Sequence, residues 1–195
     1  MKQIHADPET RRIRGTNRSQ RVRSSAPFAA EKRPAVAELL NSLLADEFVL
    51  YAKTRNYHWN VRGIHFRELH KLFEEQYEKL DEILDEVAER VRTCGGLALG
   101  TLSEFLDGSR LREQPGRYPD SRAMIGDLLR DHEEVIDFIR EAVVRCDDEF
   151  GDVGTSNFLA DLLQDHEKMA WMLEATIEND VRERREEEAP ARARR

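Results

Sequence analysis

The strongest constraint on the fold is a long stretch, from Phe66 to Cys94, in which apolar residues recur every three or four positions. That spacing places them on one face of an α-helix, and the following pair Gly95-Gly96 is a typical helix terminator. The predicted inward face consists of Leu69, Leu72, Phe73, Gln76, Tyr77, Leu80, Ile83, Leu84, Val87 and Val91. Such a face needs other helices to cover it, so the stretch predicts a helical protein.

Three further segments repeat the helical pattern. The first begins after Pro34 and is predicted to end near Arg62-Gly63. The third runs from about Ser121 to Cys146, and the fourth ends near Val181. Four long helices of this kind are typical of a four-helix bundle.

The connection between the second and third helices is roughly 25 residues long and holds a short predicted helix, TLSEFLDG, with Thr101 or Ser103 as its cap. Thr155 or Ser156 is the predicted cap of the fourth helix. The long connection permits a crossover, so the second and third helices can run parallel, as in ferritin-like bundles. The predicted fold class is therefore all-α, a ferritin-like four-helix bundle over residues 34–182 with a short extra helix in the connection.

A polar stripe also runs along the second helix. His70 and Glu74 lie four residues apart, as do Asp85 and Glu89. The eleven residues from Glu74 to Asp85 turn only ~20° beyond three full turns, so all four side chains share one face. However, eleven residues rise ~16 Å along a helix, whereas a metal reaches its ligands at ~2.0–2.2 Å. One helix alone therefore cannot close a metal site from these residues.

The four positions are symmetric about one point, because the midpoint of 70 and 89 and the midpoint of 74 and 85 are both 79.5. If two copies of the helix lie antiparallel about that point, His70 faces the partner's Glu89 and Glu74 faces the partner's Asp85. A two-fold interface would form this site twice. His58, near the end of the first helix, could lean in from the histidine side. The spacing thus suggests a metal site shared by two subunits.

Ordinary interpretations remain open for the same residues. Charged residues four apart on a helix are usually a solvated face, and a single histidine near a helix end is more often structural than a ligand. Spacing alone leaves the metal site and these alternatives about equally open. Two histidines with several carboxylates would suit Fe(II), Mn or Zn, and oxygen-rich ligation disfavours copper.

The site of ferritins inside a single bundle uses Glu-x-x-His pairs. Here three histidines lack a glutamate three positions before them: Arg67 precedes His70, Leu129 precedes His132 and Leu163 precedes His166. This absence favours a site between subunits over one inside the bundle.

Four stretches carry a family signature: NYHWNVRG at 56–63, FRELHKLFEEQY at 66–77, DEVAERVR at 85–92 and DHEKMAWMLEA at 165–175. They resemble the Dps family (DNA-binding protein from starved cells), over about residues 35–180. The resemblance implies a dodecameric ferritin-like shell built from two-fold dimers. It also implies that iron(II) is oxidised at intersubunit ferroxidase sites, preferentially by hydrogen peroxide, and stored as ferric mineral in the cavity.

Under this resemblance the polar stripe acquires roles. His58 and His70 match the two histidine ligands of the family's ferroxidase centre, and Asp85 and Glu89 match the carboxylates supplied by the other subunit. Glu74 matches a nearby acidic position that is commonly Asp in the family, so its carboxylate here is one methylene longer. The metal that the resemblance implies is iron.

Two other features have competing interpretations. Trp59 matches the tryptophan beside the family's centre that is thought to absorb oxidising equivalents, but its residue type alone favours an ordinary core aromatic. The repeated runs Asp131-His132-Glu133 and Asp165-His166-Glu167 look like metal motifs. They are interpreted as solvated helix faces.

Acidic residues near the start of the fourth helix are candidates for an iron-entry pore, which the family places at a three-fold axis. They are Asp148, Asp152 and Asp161. Asn157 stands where related sequences often have Asp, which implies a less acidic pore. Acidic residues near a helix start are also favourable with the helix dipole, which is the plainer interpretation.

The net charge of −8 hides an asymmetry. Residues 1–33 carry nine basic and three acidic side chains, and residues 182–195 carry six arginines and four glutamates. The body between them is therefore near −16. Residues 1–33 have few large apolar residues and no periodicity, so they are predicted to be a flexible basic arm, with 183–195 as a charged tail.

The basic arm suggests nonspecific DNA binding. Its arginines could neutralise phosphates without reading sequence, and twelve arms on one shell would add avidity. The alternative is a tail that caps an interface or binds another metal through His5 and Asp7. The DNA-binding candidates are Arg11, Arg12, Arg14, Arg18, Arg21 and Arg23.

The remaining features bear on location and on function class. No run of 18 apolar residues is present, the N-terminal stretch lacks the apolar region of a signal peptide, and Cys94 and Cys146 are isolated. These features predict no membrane span, a reducing compartment with free thiols and a cytoplasmic, nucleoid-associated protein. Three functions stay open: a peroxide-consuming ferroxidase and iron-storage cage, a DNA-compacting protein with secondary iron activity, and a bundle with a structural zinc site.

Overall fold

The computed structural model describes residues 30–188, with side chains up to residue 177. The helices are α1 (Arg33–Asn60), α2 (Phe66–Thr93), α3 (Leu102–Gly108), α4 (Ser121–Val144) and α5 (Val153–Glu188), and a π-helical turn (Arg145–Glu149) joins α4 to α5. Most of the predicted arm, at 1–29, lies outside the described residues together with its six arginine candidates, His5 and Asp7. Residues 189–195 of the predicted tail lie outside them as well.

Contacts between side chains fix the direction of α1 against α2. The ring of His58 stacks on that of His70, and further along Tyr51 contacts Tyr77 edge to face. Residues near the end of α1 therefore contact residues near the start of α2, and earlier residues of α1 contact later residues of α2. The two helices are thus antiparallel. The short connection between them, from residue 61 to residue 65, forms the end of this helical hairpin.

Contacts with α4 establish the crossover. Tyr57 Oη donates to Asp127 at 3.0 Å, and Lys53 Nζ donates to Asp131 at 2.5 Å. These pairs make α1 antiparallel to α4, so α2 and α4 run parallel and the chain must cross the length of the bundle between them. The segment that holds α3 makes this crossover, which confirms the predicted all-α, ferritin-like four-helix bundle.

The core is the shared interior of the four long helices. Its largest fully buried side chains are Phe73, Leu40, Leu43, Leu50, Leu80, Ile83, Met124, Leu128, Ile139, Leu159, Leu162 and Leu173. Burying one such side chain is worth about 1.5–3 kcal/mol relative to leaving it in water. Packing of these apolar stripes, rather than helix propensity, therefore supplies most of the stability.

The helix starts confirm one predicted cap and correct another. Thr101 Oγ1 accepts the N–H of Glu104, whose carboxylate accepts the N–H of Thr101 in return, so Thr101 rather than Ser103 caps α3. At α5 the predicted cap, Thr155 or Ser156, is wrong. The helix already begins at Val153, and the carboxylate of Asp152 accepts the N–H of Thr155 at 3.0 Å.

The helix ends also differ from the predictions. The α-helical part of α4 ends at Val144, and the buried Cys146 belongs to the π-helical turn that follows. Gly151, with a positive φ of 67°, then lets the chain reverse into α5. Helix α5 runs to Glu188, beyond the predicted end at Val181 and into the predicted tail. Within residues 30–188 no helix is both long and apolar enough to cross a membrane.

Candidate metal centre

His58 and His70 form a pair across the hairpin of α1 and α2. Their ring centroids are 3.7 Å apart with an interplanar angle of 20°. The Nδ1 atom of each ring lies 2.8 Å from the main-chain carbonyl oxygen of the other histidine. Because a carbonyl oxygen only accepts, each Nδ1 carries the proton when the ring is neutral. Both Nε2 lone pairs are then free to bind a metal.

Aromatic neighbours hold the two rings in place. Tyr77 meets His58 edge to face at 5.1 Å, and Phe66 stacks on His70 at 5.1 Å. Burial raises the pKa of the Tyr77 phenol, and the nearby Glu74 carboxylate raises it further, so Tyr77 stays protonated at neutral pH. The contacts orient both imidazoles before any ion arrives, which is what a metal-binding histidine requires.

The predicted carboxylates lie along α2 at different distances from this pair. Glu74 is half-buried one turn beyond His70, whereas Asp85 and Glu89 are exposed further along the helix. Within the described part of a single chain, no group of three or more His, Cys, Asp or Glu side chains converges to hold a metal ion. One chain thus brings together the two histidines but not the two distal carboxylates, and the shared site stays a prediction.

Trp59 is on the surface, so its interpretation as a core aromatic is wrong. Its side chain is 66% exposed, and the guanidinium of Arg55 lies 5.6 Å from the centre of its ring. The reason is helical geometry, because His58 faces α2 and the next residue points ~100° away from it. Trp59 therefore stands beside the histidine pair at the edge of the bundle.

The pore candidates separate into two kinds. Asp152 is buried, accepts the N–H and hydroxyl of Thr155, and lies 3.2 Å from the guanidinium of Arg90. It therefore acts as a helix cap within the chain, as the dipole interpretation expects. Asp148 and Asp161 are exposed, and their place in a pore stays a prediction.

The interpretation of the two DHE runs as solvated faces is wrong for both histidines. His132 on α4 and His166 on α5 are fully buried, and their Nδ1 atoms lie 3.0 Å apart. Glu47 of α1 is fully buried too, and its Oε1 lies 2.8 Å from His166 Nε2. Burial lowers the pKa of His132 well below the ordinary histidine value, and the neighbouring His166 lowers it further.

The acidic members of the runs are less buried than the histidines. Glu133 and Glu167 are exposed, as predicted. Asp131 is held by Lys53, although burial still raises its pKa, and Asp165 lies 3.1 Å from Lys79. Both Asp131 and Asp165 thus link α4 or α5 to a neighbouring helix.

The sequence carries a signal for the buried cluster in the spacing of its apolar residues. His132 lies on the inward stripe of Leu128, Val135 and Ile139. His166 continues the stripe of Leu159, Leu162, Met169 and Leu173, and Glu47 continues that of Leu40, Leu43 and Leu50. Helical spacing therefore predicts burial for all three polar residues, whatever the charge of their immediate neighbours.

The two cysteines are free and buried, in agreement with the predicted thiols. Burial raises the pKa of Cys94 and raises that of Cys146 to about 12, and the carboxylate of Asp152 adds to both shifts. Their thiols are therefore poor nucleophiles in the folded chain.

Comparisons with known proteins agree with this geometry. The chain matches the family model of the ferritin-like domain over residues 37–182. An uncharacterized low-temperature-induced protein of Nostoc sp. (strain PCC 7120) is 48% identical over 148 residues, which cover 76% of this chain and 83% of that relative. The DNA protection during starvation protein of Brevibacillus brevis is 37% identical over 73% of this chain and 95% of its own length.

The likeness extends to solved structures. The crystal structure of the Dps protein from Vibrio cholerae O1, described as a member of a broad superfamily of ferritin-like diiron-carboxylate proteins, has a TM-score of 0.72 and 33% identity. The match covers 77% of this chain and 93% of that one. Fold, family model and relatives agree, and the chain belongs to the Dps family of the ferritin-like superfamily.

Proposed function

We propose that this protein is a Dps-type ferroxidase and iron-storage cage whose iron(II) sites are shared between two subunits. The observation that carries the proposal is the His58–His70 pair, in which main-chain carbonyls hold both Nδ1 atoms. In the neutral rings this arrangement puts the lone pairs that can bind a metal on Nε2. Asp85 and Glu89 are exposed on the same helix, α2. A two-fold axis near the middle of α2 brings them to the partner's histidines.

The surface around the histidines supports a second copy as the partner. Trp59 and Ile64 are 66% and 87% exposed, and Phe66, which stacks on His70, is 45% exposed. Apolar groups clustered beside a polar site are typical of a protein–protein interface. A dimer there would cover them and complete the site, and we propose that such dimers assemble further into a dodecameric shell.

The donor set suits iron as the substrate. Two imidazoles with the carboxylates of Glu74 and of the partner's Asp85 and Glu89 provide mixed nitrogen and oxygen ligation. Carboxylates add negative charge, which favours Fe(III) over Fe(II). Two Fe(II) ions each give one electron to hydrogen peroxide, its O–O bond breaks and, with two protons, two water molecules form. This route releases no hydroxyl radical, so we propose peroxide as the preferred oxidant.

Residues near the centre and on the last helix have proposed roles in the same activity. We propose that Trp59, which is exposed next to His58 in the sequence, supplies an electron to a stray oxidant formed at the site. Asp148 and Asp161, both exposed, and Asp152 are the residues proposed for the entry of iron(II) into the shell. The capping role of Asp152 makes it the weakest of the three for binding a passing ion.

A complementation experiment tests the shared site directly. His58→Ala alone and Asp85→Ala alone are expected to lose rapid iron(II) oxidation by peroxide in stopped-flow measurements. When both variants are co-expressed in equal amounts, each mixed dimer keeps one intact site, so about one quarter of the sites recover. Glu134→Ala, which removes an exposed carboxylate of α4, is the matched control and should keep full activity.

The outcomes discriminate between the alternatives. If the mixed preparation shows no recovery although its mass proves co-assembly, the site lies within one subunit and the proposal fails. A native mass equal to one chain would contradict it as well. A bundle with only a structural zinc site would oxidise iron no faster than the variants do.

DNA binding is the second proposed function, and the charge of the N-terminal arm favours it. Residues 1–33 carry a charge of about +6, against about −16 for the body. The relative in Brevibacillus brevis is named a DNA protection during starvation protein. We propose nonspecific binding through Arg11, Arg12, Arg14, Arg18, Arg21 and Arg23, in a cytoplasmic and nucleoid-associated protein.

A gel-shift series tests the role of the arm. The full chain should retard duplex DNA at low salt and lose affinity steeply as salt rises. A chain that begins at residue 34 should not retard it, while its iron(II) oxidation stays at the full-length level. Retardation by the shortened chain at the same protein concentration would rule out the arm.

A further inference from the structure

Three fully buried polar side chains, from α1, α4 and α5, meet in the bundle interior, and the α1 member, Glu47, lies eleven positions before His58. Glu47 Oε1 is 2.8 Å from His166 Nε2, and His166 Nδ1 is 3.0 Å from His132 Nδ1. All three side chains are 0% exposed. His132 Nε2 has no hydrogen-bond partner among the described residues. The iron chemistry proposed above uses none of these groups.

The hydrogen bond between the two rings requires a single proton between their Nδ1 atoms. At 3.0 Å, one Nδ1 must donate a hydrogen bond and the other must accept it. Burial keeps His132 neutral at pH 7, so the pair meets this condition there. A proton on both Nδ1 atoms would leave two donors facing each other without an acceptor, and two like charges in a water-free interior.

The nearby charged groups on the surrounding helices are paired with residues other than His132 and His166. From α2, the buried residues next to this level are Gln76, whose Nε2 donates to the carbonyl of Met169, and the apolar Leu80. The charged groups form pairs: Lys53 with Asp131, Lys79 with Asp165, and Arg110 with Asp46. Among the residues whose side chains are described, Glu47 is the only carboxylate in contact with either ring, and it contacts His166 rather than His132.

We propose that the His132–His166 contact is an acid-sensitive lock between α4 and α5, which opens when acid adds a further proton to this pair of rings. Each helix contributes one ring, so the repulsion acts directly across the packing of α4 against α5. Among the described residues, the α1–α2 hairpin has no hydrogen bond between ring nitrogens, and its buried polar side chains at this level are Glu47 and the amide of Gln76.

The direction of the pH effect follows from proton linkage. In the unfolded chain, histidine takes up a proton below a pH of about 6.5, whereas in the folded chain His132 resists protonation. The stabilising effect is therefore complete above pH 6.5 and is lost as the pH falls below it. Each unit of pH should lower the ratio of folded to unfolded protein about tenfold for such a histidine, until its folded-state pKa is reached.

Hydrogen exchange measured by mass spectrometry on the full-length protein tests the lock. After correction for the intrinsic rate, exchange in peptides that contain His132 and His166 should accelerate at least about tenfold between pH 7 and pH 5.5 relative to peptides of α1 and α2. His132→Asn places an amide oxygen where Nδ1 lies, so it keeps an acceptor for His166 but cannot titrate. This variant should lose the acceleration.

His65→Asn is the control, because it removes a histidine that is only partly buried. It should keep the wild-type acceleration in α4 and α5. The lock is refuted if wild-type α4 and α5 exchange no faster at pH 5.5 than α1 and α2 do, which requires no variant to fold. It is equally refuted if His132→Asn folds and retains the full acceleration.

Discussion

The described residues include two histidine pairs, one between α1 and α2 and one between α4 and α5, and they differ in what their ring nitrogens face. In the His58–His70 pair each Nδ1 faces a main-chain carbonyl, so the rings do not depend on each other for a hydrogen bond. In the His132–His166 pair the two Nδ1 atoms face each other. The first arrangement leaves both rings available to an ion, whereas the second makes each ring depend on the protonation of the other.

Their surroundings increase the difference. The first pair lies at the end of the bundle beside the exposed Trp59, and its member His70 is on the helix that also carries the exposed Asp85 and Glu89. The second lies in the interior, with Glu47 as its charged neighbour and a lowered pKa at His132. The same residue type is thus suited to the proposed metal binding at the end of the bundle and to packing in its interior.

Removing one histidine from each pair should separate stability from activity, with the largest effects expected here. His166→Ala leaves Glu47 buried without its partner and should lower the free energy of unfolding by about 3–5 kcal/mol. His70→Ala, at a half-buried position, should lower it by about 1 kcal/mol. Urea unfolding at a fixed protomer concentration measures both changes.

Iron(II) oxidation by the same two variants should show the opposite order. His70→Ala should lose the rapid phase, whereas His166→Ala should keep it at a temperature where the variant is folded. Equal loss of activity in both folded variants would mean that the inner pair takes part in iron chemistry, and the comparison above would then fail.

The sequence predicted the helices well because each carries a continuous apolar stripe, as the stretch from Phe66 to Cys94 does. It predicted the cap of α3 because Thr101 and Glu104 have the spacing of a capping box. The cap of α5 was missed because Thr155 and Ser156 also have preferred cap side chains, and the choice of Asp152 depends on the turn made at Gly151.

The site was harder to predict than the fold. The symmetry of His70, Glu74, Asp85 and Glu89 about one point is visible in the numbering. The reciprocal hydrogen bonds from each Nδ1 to the other residue's carbonyl cannot be read from the numbering. They depend on how the hairpin brings residues twelve positions apart into register. Runs of charge around the inner histidines masked their burial, since local composition and helical spacing gave opposite answers there.

Tyr57 links the two halves of the comparison, because it precedes His58 on α1 and its hydroxyl donates to the buried Asp127 of α4. Tyr57→Phe should lower the free energy of unfolding by about 1.5–3 kcal/mol, the range for a hydrogen bond to a charged group. Iron(II) oxidation should be unchanged, because this bond is made to α4, whereas the His58–His70 pair lies between α1 and α2. Tyr118→Phe, at a side chain that is 60% exposed, is the matched control for stability.

The dependence of folding stability on alkaline pH provides a further test of Tyr57, and the direction of the effect can be predicted. Burial raises its pKa above the ordinary value of 10, and the Asp127 carboxylate raises it further. The folded chain therefore holds the phenolic proton more tightly than the unfolded chain does. This stabilisation is complete below pH 10 and is lost as the pH rises above it. Wild type should lose more stability between pH 9 and pH 10.5 than Tyr57→Phe, and equal losses would contradict the assignment.

Substituting a buried cysteine should change the free energy of unfolding least. It extends the comparison with the histidine pairs to the π-helical turn between α4 and α5. Cys146 is fully buried, as His132 and His166 are, but its removal leaves no buried charge unpaired. Cys146→Ala should therefore lower the free energy of unfolding by only about 1 kcal/mol. With its pKa raised to about 12, its thiol should react with Ellman's reagent at pH 8 only as fast as the bundle opens. Urea should accelerate the reaction in step with unfolding. Rapid labelling of the native protein would place Cys146 in a locally open segment, and the π-helical turn would then be less stable than the packing around His132 and His166.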